Sequence, residues 1–298
     1  MINITLKQLK YFEALAHHGH FGHAAAACAI SQPALSVQIK ELEAELGQPL
    51  VERGPRQIRL TAFGEAFLAR VTDILRQVDE LGDFARSARG GMMERLRLGI
   101  IPTIAPYLLP RLIGHLSADF PGLDLNVRET LTPRLIQELH EGRIDAAILA
   151  LPISEPALTE VPLFDESFVL VRPSGDAGHP VPDGETLARM RLLLLEEGHC
   201  FRDQALSFCR MGSAVPRDGL DGSSLTTLVQ MVGVGLGVTL IPEMAVPVEA
   251  RSAEVDIAHF SAPQPTRTIG MVWRRSSPLA DQFQRIAEVV RRVGEQSR

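Results

Sequence analysis

Cys200 and Cys209 are the residues of this chain best placed to do chemistry. They stand nine positions apart in the run Leu195-Glu196-Glu197-Gly198-His199-Cys200-Phe201-Arg202-Asp203-Gln204-Ala205-Leu206-Ser207-Phe208-Cys209. Cys200 ends a Gly-His turn ahead of a helix that Asp203 can cap. A helix N-terminus, together with His199 and Arg202, favours thiolate over thiol. A thiolate attacks peroxide to give a sulfenic acid, and a second thiol, here Cys209, can condense with it. Two buried cysteines can equally serve as small hydrophobes, and the residue types alone leave both readings open. The spacing adds a constraint. Nine residues of straight helix span roughly 13 Å, whereas a disulfide needs Cα atoms within about 7 Å. If Asp203 to Met211 is helical while both thiols are free, linking them requires that helix to unwind. Such a refolding segment is the bistable element a switch needs.

A second candidate chemistry is the reading of base edges. Ser31-Gln32-Pro33 opens a helix, because Ser31 suits an N-cap and proline is tolerated in a first turn. Leu35, Ile39, Leu42 and Leu46 fall on one apolar arc, and Gly47 ends the helix. Gln32, Ser36 and Lys40 lie on a separate arc, with Pro33 beside them. Glutamine can pair with adenine, serine can bond either base type, and lysine can reach a phosphate. The turn Arg53-Gly54-Pro55-Arg56 lies between two short apolar segments. It suits a β wing whose Arg53 and Arg56 hold the DNA backbone. Local charge supports this only weakly, since residues 1–60 carry six Lys/Arg against five Asp/Glu.

Other conspicuous residues carry blander readings. His17, His18, His20 and His23 have no cysteine at zinc-finger spacing, so a solvated or DNA-facing cluster outweighs a metal site. No metal or other cofactor is expected. Gly233-Val234-Gly235-Leu236-Gly237 follows a helix and precedes a strand, the wrong order for a dinucleotide loop. Cys28, in an Ala-rich helix, and Trp273, on an apolar strand, read as core.

These residues need elements to hold them. Leu6, Leu9, Phe12 and Ala16 give a first helix, Phe21 to Ala27 a second, and Ser31 opens the third. Thr61 caps a long helix in which Phe67, Val71, Ile74, Val78, Leu81 and Ala85 alternate steps of four and three. That a/d seam predicts pairing with a second helix, and Gly90-Gly91 marks its end. Beyond it, strands and helices alternate. Strands are expected at Leu96–Ile101, Leu123–Arg128, Ile144–Leu151, Phe168–Val171, Leu192–Leu195, Val238–Ile241 and Thr268–Trp273. Helices are expected at Ala105–Asp119, Pro133–Glu141 and Leu279–Glu295, with others between the later strands. The fold class is therefore α/β. An N-terminal winged helix-turn-helix spans 1–60, a dimerisation helix 61–90, and an effector domain 91–298 with two open sheets and a cleft between them. Its first lobe covers about 95–163 and 268–298, its second about 164–267.

Bulk properties fit this layout. The 298 residues are 45% hydrophobic and 22% charged, with net charge −6, so any DNA contact must come from a local patch. No secretory leader and no run of roughly 20 apolar residues is visible, which points to a cytoplasmic protein with no membrane partner. Three cysteines are too few and too odd for a disulfide framework.

The run Ala24-Ala25 through Ser31-Gln32-Pro33-Ala34-Leu35-Ser36, then Gln38-Ile39-Lys40, Leu42-Glu43, Leu46-Gly47, Leu50 and Arg53, resembles the N-terminal signature of LysR-type transcriptional regulators. Cys28 and Val51 stand where that signature has an aliphatic residue and Phe. The resemblance covers essentially the whole chain. It implies a homodimer or tetramer that binds double-stranded promoter DNA at inverted repeats and engages RNA polymerase. The cysteine segment resembles the hydrogen-peroxide-sensing members of that family. Also similar are Ile101-Pro102-Thr103, Tyr107-Leu108-Leu109-Pro110, Val161-Pro162-Leu163-Phe164-Asp165-Glu166 and Arg267-Thr268-Ile269-Gly270. By that resemblance Cys200 is the peroxidatic and Cys209 the resolving cysteine. His199 and Asp203 shape the pocket, Thr103 and Thr132 bond the peroxide and its water, and Arg267 stabilises the thiolate. Two alternatives stand beside this reading. One is a regulator of the same family that binds a small organic effector between its lobes, its cysteines incidental. The other is a thiol peroxidase, for which a DNA-reading unit has no use.

Overall fold

The computed structural model describes residues 3–53, 58–87, 93–209, 222–251 and 253–296. They form two compact units, Met1–Ala85 and Arg86–Arg298.

The first unit opens with α1 (Leu6–His18), whose Thr5 and Gln8 form a reciprocal capping box and whose C-cap is Gly19 at φ +60°. Next, α2 (Phe21–Ala27) starts on the His20 ring, which accepts from the Gly22 N–H. Helix α3 (Gln32–Leu46) is capped by Ser31 and stopped by Gly47 at φ +67°. Strands β1 (Val51–Arg53) and β2 (Ile58–Leu60) pair antiparallel as the wing. Thr61 then caps α4 (Ala62–Ser87): its hydroxyl accepts from the Gly64 N–H and donates to the Pro49 carbonyl. Phe12, Leu15, Leu35, Ile39, Leu42 and Leu50 are fully buried in one core.

The α4 seam is split in two. Of the predicted seam, Val71 is buried in the core of this unit and Phe67 packs against it, whereas Ile74, Leu81 and Ala85 are exposed; beside the seam Leu75 is buried, and Phe63 and Phe84 are exposed. Val71, expected to face a partner helix, packs instead on its own domain, because α4 must cover the apolar arc of the first three helices. Ile74, Leu81 and Ala85 keep the seven- and four-residue spacing that a paired helix needs.

The second unit runs β3 (Arg95–Ile100), α5 (Ala105–Asp119), β4 (Asp124–Glu129), α6 (Thr132–His140), β5 (Ala146–Leu151) and the long β6 (Leu158–Pro173). It continues through α7 (Gly184–Leu187), α8 (Cys200–Phe208), α9 (Leu225–Gly233), β7 (Thr239–Pro242), α10 (Val246–Glu249), β8 (Val255–His259), β9 (Thr266–Arg274) and α11 (Ala280–Glu295). Strand β3 pairs parallel with β4 and β5, and β9 runs antiparallel between β5 and β6. From Phe168 onward β6 turns to pair with β7 and β8. One strand thus serves two lobes, each with its own apolar core. Phe164 belongs to the first core and Phe168 to the second, so the crossing falls between them.

The segment Leu192–Leu195, expected as a strand, makes only isolated bridges, Leu192 to Val238 and Leu195 to Gly222. Its apolar run is buried as a loop beneath the second sheet rather than as a ladder. Trp273 is core, as expected.

Gly64 sits where α4 crosses the wing, and a Cβ there would lie 2.1 Å from the Leu50 carbonyl oxygen, a backbone atom that cannot step aside. Gly114, in α5, has open space around it. We expect Gly64→Ala to destabilise the first unit by about 1–3 kcal/mol through overpacking. Gly114→Ala should be neutral or stabilising by up to ~1 kcal/mol through helix propensity. Thermal melts of the two full-length variants check both signs.

Candidate functional site

Cys200 is the first residue of α8, and Cys209 is the C-cap at its other end. Gly198, at φ +95°, turns the chain into the helix, and Leu131 of the first lobe closes within 3.1 Å of where its Cβ would stand. The half-buried Cys200 side chain packs against the core of the first lobe although its helix belongs to the second. Cys200 therefore sits on the seam between lobes, at the N-terminal end of α8.

Cys209 is 1% exposed and lies in the core of the second lobe. Burial pushes its thiol up to about 11, so it is protonated at neutral pH. Both thiols are free. His199 is also buried, and burial holds its imidazole below the ordinary value against the opposing pull of Glu196. The residue that directly precedes Cys200 in the chain thus carries a neutral ring at pH 7. Asp203, expected to cap α8, does not: His199 holds the N-cap position, with no side-chain capping bond, and Asp203 lies exposed in the first turn. The helix starts four residues earlier than a capping Asp203 would require. The far end of the helix also differs from expectation, since α8 closes at Phe208 and Met211 lies outside the described residues.

Arg267, at the start of β9, is buried at the same seam. Its Nε donates to Glu166 Oε2 at 2.8 Å, with Nη2 2.7 Å from the same oxygen. Its Nη1 donates to Thr103 Oγ1 at 2.8 Å and its Nη2 to the Thr103 carbonyl at 3.1 Å. The guanidinium also lies 5.3 Å over the Phe201 ring, one residue from Cys200. Thr103 Oγ1 is thus an acceptor for Arg267, which leaves its hydroxyl hydrogen to donate elsewhere.

Thr132, the first residue of α6, is buried, and its Oγ1 has no hydrogen-bond partner. A buried hydroxyl without a partner marks a place for a water or a small polar ligand. Gln204 Oε1 is likewise buried without a partner. Gln204 is four residues after Cys200, on the same face of α8. That spacing is visible in the sequence and could have singled it out. Glu166 and Phe201, the partners of Arg267, stand within the motifs but are separated from it by more than sixty residues, so no local signal joins them.

In the first unit, Gln32, Pro33 and Lys40 are exposed along α3 and Ser36 is half-buried, on the arc away from the Leu35–Ile39–Leu42 stripe. Arg53 ends β1, and Arg56 lies outside the described residues. His20 caps α2, and its ring lies 4.8 Å from that of His23, tilted by 39°. Among the described residues no group of three or more His, Cys, Asp or Glu is placed to hold a metal, and no helix is long and apolar enough to cross a membrane.

Comparison with known proteins matches residues 6–65 to the bacterial regulatory helix-turn-helix protein, lysR family, and residues 89–295 to the LysR substrate binding domain. A probable hydrogen peroxide-inducible genes activator from Streptomyces viridosporus is 43% identical, over 96% of this chain and 93% of its own. A full-length OxyR variant from Pseudomonas aeruginosa superposes with TM-score 0.78 at 38% identity, over 97% of this chain and 95% of the other. An OxyR mutant from Corynebacterium glutamicum, solved with H2O2 bound, superposes with TM-score 0.68 at 36% identity, over 99% of this chain and 94% of the other.

The two thiols should differ sharply in reactivity. Iodoacetamide applied to the native, reduced chain at pH 7.5 should alkylate Cys200 well before Cys209. Cys209 labelling should climb about tenfold per pH step, as its thiolate fraction grows toward a midpoint near 11. Peptide mass spectrometry over time reads both rates, and labelling of Cys209 first would contradict the placement of the two sulfurs.

Proposed function

The chain belongs to the LysR family of bacterial helix-turn-helix regulators, and on that footing we propose that it is a transcription regulator that responds to hydrogen peroxide through Cys200 and Cys209. One observation carries the reading. A half-exposed cysteine at a helix N-terminus shares that helix with a second, buried and protonated cysteine. The relatives named above support it, being a peroxide-inducible gene activator and OxyR regulators rather than enzymes.

In this account the Cys200 thiolate attacks one oxygen of H2O2. The S–O bond forms, the O–O bond breaks, and the leaving hydroxide takes a proton to become water. Thr103 donates to the peroxide from the opposite lobe, and the unpartnered Thr132 hydroxyl bonds the peroxide or its water. His199 and Asp203 shape the pocket, and the Arg267 charge acts with the helix N-terminus to favour the thiolate. Cys209 then attacks the sulfenic acid. An S–S bond forms, the S–O bond breaks, and a second water leaves. Two thiols have lost two hydrogens, and one peroxide has become two waters.

The second step is where sensing becomes signalling. Cys209 cannot reach Cys200 until α8 unwinds, so the disulfide forms with a refolded segment. That segment reorients subunits paired through the exposed apolar residues of α4, in a dimer or a tetramer. The α3 helices, carrying Gln32, Pro33, Ser36 and Lys40 with the wing residues Arg53 and Arg56, shift on the promoter, and contact with RNA polymerase changes.

One equivalent of peroxide should convert the 200–209 peptide to its internally linked form, and the promoter footprint of the full chain should change in step. Cys200→Ser should abolish both, whereas Cys209→Ser should stop at a sulfenic acid that dimedone traps. If Cys200 reacts no faster than free cysteine and no linkage forms, the reading is lost. On DNA, Lys40→Ala should weaken binding to all sequences and lower the salt slope by about 1. Gln32→Ala should cost about 1–3 kcal/mol at one base position only.

A further inference from the structure

Tyr107 and Glu249 carry a contact that the proposed chemistry does not use. Tyr107 lies in the first turn of α5, four residues after Thr103, and packs against both apolar cores. Its hydroxyl donates to Glu249 Oε1 at 2.7 Å, although Glu249 ends α10 in the second lobe. Glu249 is only 4% exposed. Burial first, and the bond to Glu249 next, keep the phenol protonated and donating.

The segment 243–249 that carries Glu249 lies across the seam. Met244 sends its side chain into the first core, whereas Ala245 belongs to the second. The Met244 N–H donates to Glu166 Oε1 at 3.2 Å. The other carboxylate oxygen of Glu166 holds Arg267, and Arg267 holds Thr103. Thr103 lies two residues before α5 and Tyr107 in its first turn, so a short stretch of chain joins them. Four hydrogen-bonded links and two stretches of chain, 103–107 and 244–249, therefore close a ring through Thr103, Arg267, Glu166, Met244, Glu249 and Tyr107. Two of the links, Thr103 to Arg267 and Tyr107 to Glu249, cross between the lobes, and Arg267 rests on Phe201 beside Cys200.

We infer that Tyr107 and Glu249 are positioning residues for the Cys200 thiol, their hydrogen bond closing a polar ring that clamps the two lobes around the seam where Cys200 packs. The inference rests on the peroxide reading given above. Neither residue touches the reacting sulfur. They fix the spacing between the lobe that carries Cys200 and the lobe that supplies Thr103 and Thr132. Small displacements of a reacting atom cost rate steeply.

The test uses the full chain in a Cys209→Ser background. Sulfenic acid formation at Cys200 is timed by dimedone trapping, and hydrogen exchange is followed over residues 243–249 without peroxide. Tyr107→Phe and Glu249→Met, each of which removes one partner, should both slow oxidation by about tenfold and speed exchange. The double variant should be no slower than either single one. Glu249→Gln keeps an acceptor and should stay within about twofold of the parent. If one of the two partner-removing variants fails to fold, the other decides, with Glu249→Gln as its rescue. Parent rates in Tyr107→Phe or in Glu249→Met would overturn the inference, as would a Glu249→Gln as slow as Glu249→Met. If the parent itself reacts no faster than free cysteine, the peroxide reading falls. Exchange over 243–249 then still decides the clamp.

Discussion

Helix α8 holds two sulfurs apart, and the rest of the account depends on that separation. Its hydrogen-bonded backbone puts Cys200 at one end and Cys209 at the other, roughly 13 Å apart for a straight helix against the about 7 Å that a disulfide spans. A nine-residue helix has little stability of its own. It stands because Phe201, Ala205 and Leu206 are buried in the second core. In the proposed mechanism a covalent bond between its ends has only that packing to overcome, so oxidation would refold α8 without unfolding the domain.

The seam around Cys200 is built from charge as well as apolar contact. Arg267 and Glu166 are almost completely buried, 0% and 4% exposed at the side chain. Such a pair is weak evidence for stability, because desolvating two charges offsets most of their attraction. Its effect is geometric. Arg267 has its fork occupied by Glu166 and Thr103 and its face on Phe201, so it fixes the start of β9, the start of α5 and the start of α8 relative to one another. Those three chain segments carry Arg267, Thr103 and Cys200, which the proposed peroxide chemistry uses. Thr132 Oγ1, like Gln204 Oε1, is buried without a hydrogen-bond partner, and the proposed chemistry gives that hydroxyl the peroxide or its water to bond.

Much of this was legible in the sequence, for identifiable reasons. The Leu35–Ile39–Leu42 stripe and the Ser31 and Gly47 boundaries of α3 are local signals, and the structure follows them. The same holds for the capping of α4 by Thr61 and for the long alternation of strands and helices. Local signals misled where tertiary packing decided. Leu192–Leu195 reads as a strand, but only isolated bridges reach it. Asp203 has the type and place of a cap, yet the helix begins at Cys200 and leaves it exposed. Val71 fits the heptad seam but is taken by the core of its own unit. The partners of Arg267 and Tyr107 could not be read at all. Glu166 and Glu249 are about 100 and 140 positions from the residues they hold, and no periodicity links residues that meet only after two lobes form.

Amide hydrogen exchange across residues 200–208, compared between the reduced chain and the chain oxidised by one equivalent of peroxide, bears most directly on the central claim. The account predicts slow, helix-like exchange before oxidation and a loss of protection through that stretch once the two sulfurs are joined. Full retention of helical protection in a chain proven to carry the Cys200–Cys209 linkage would contradict it.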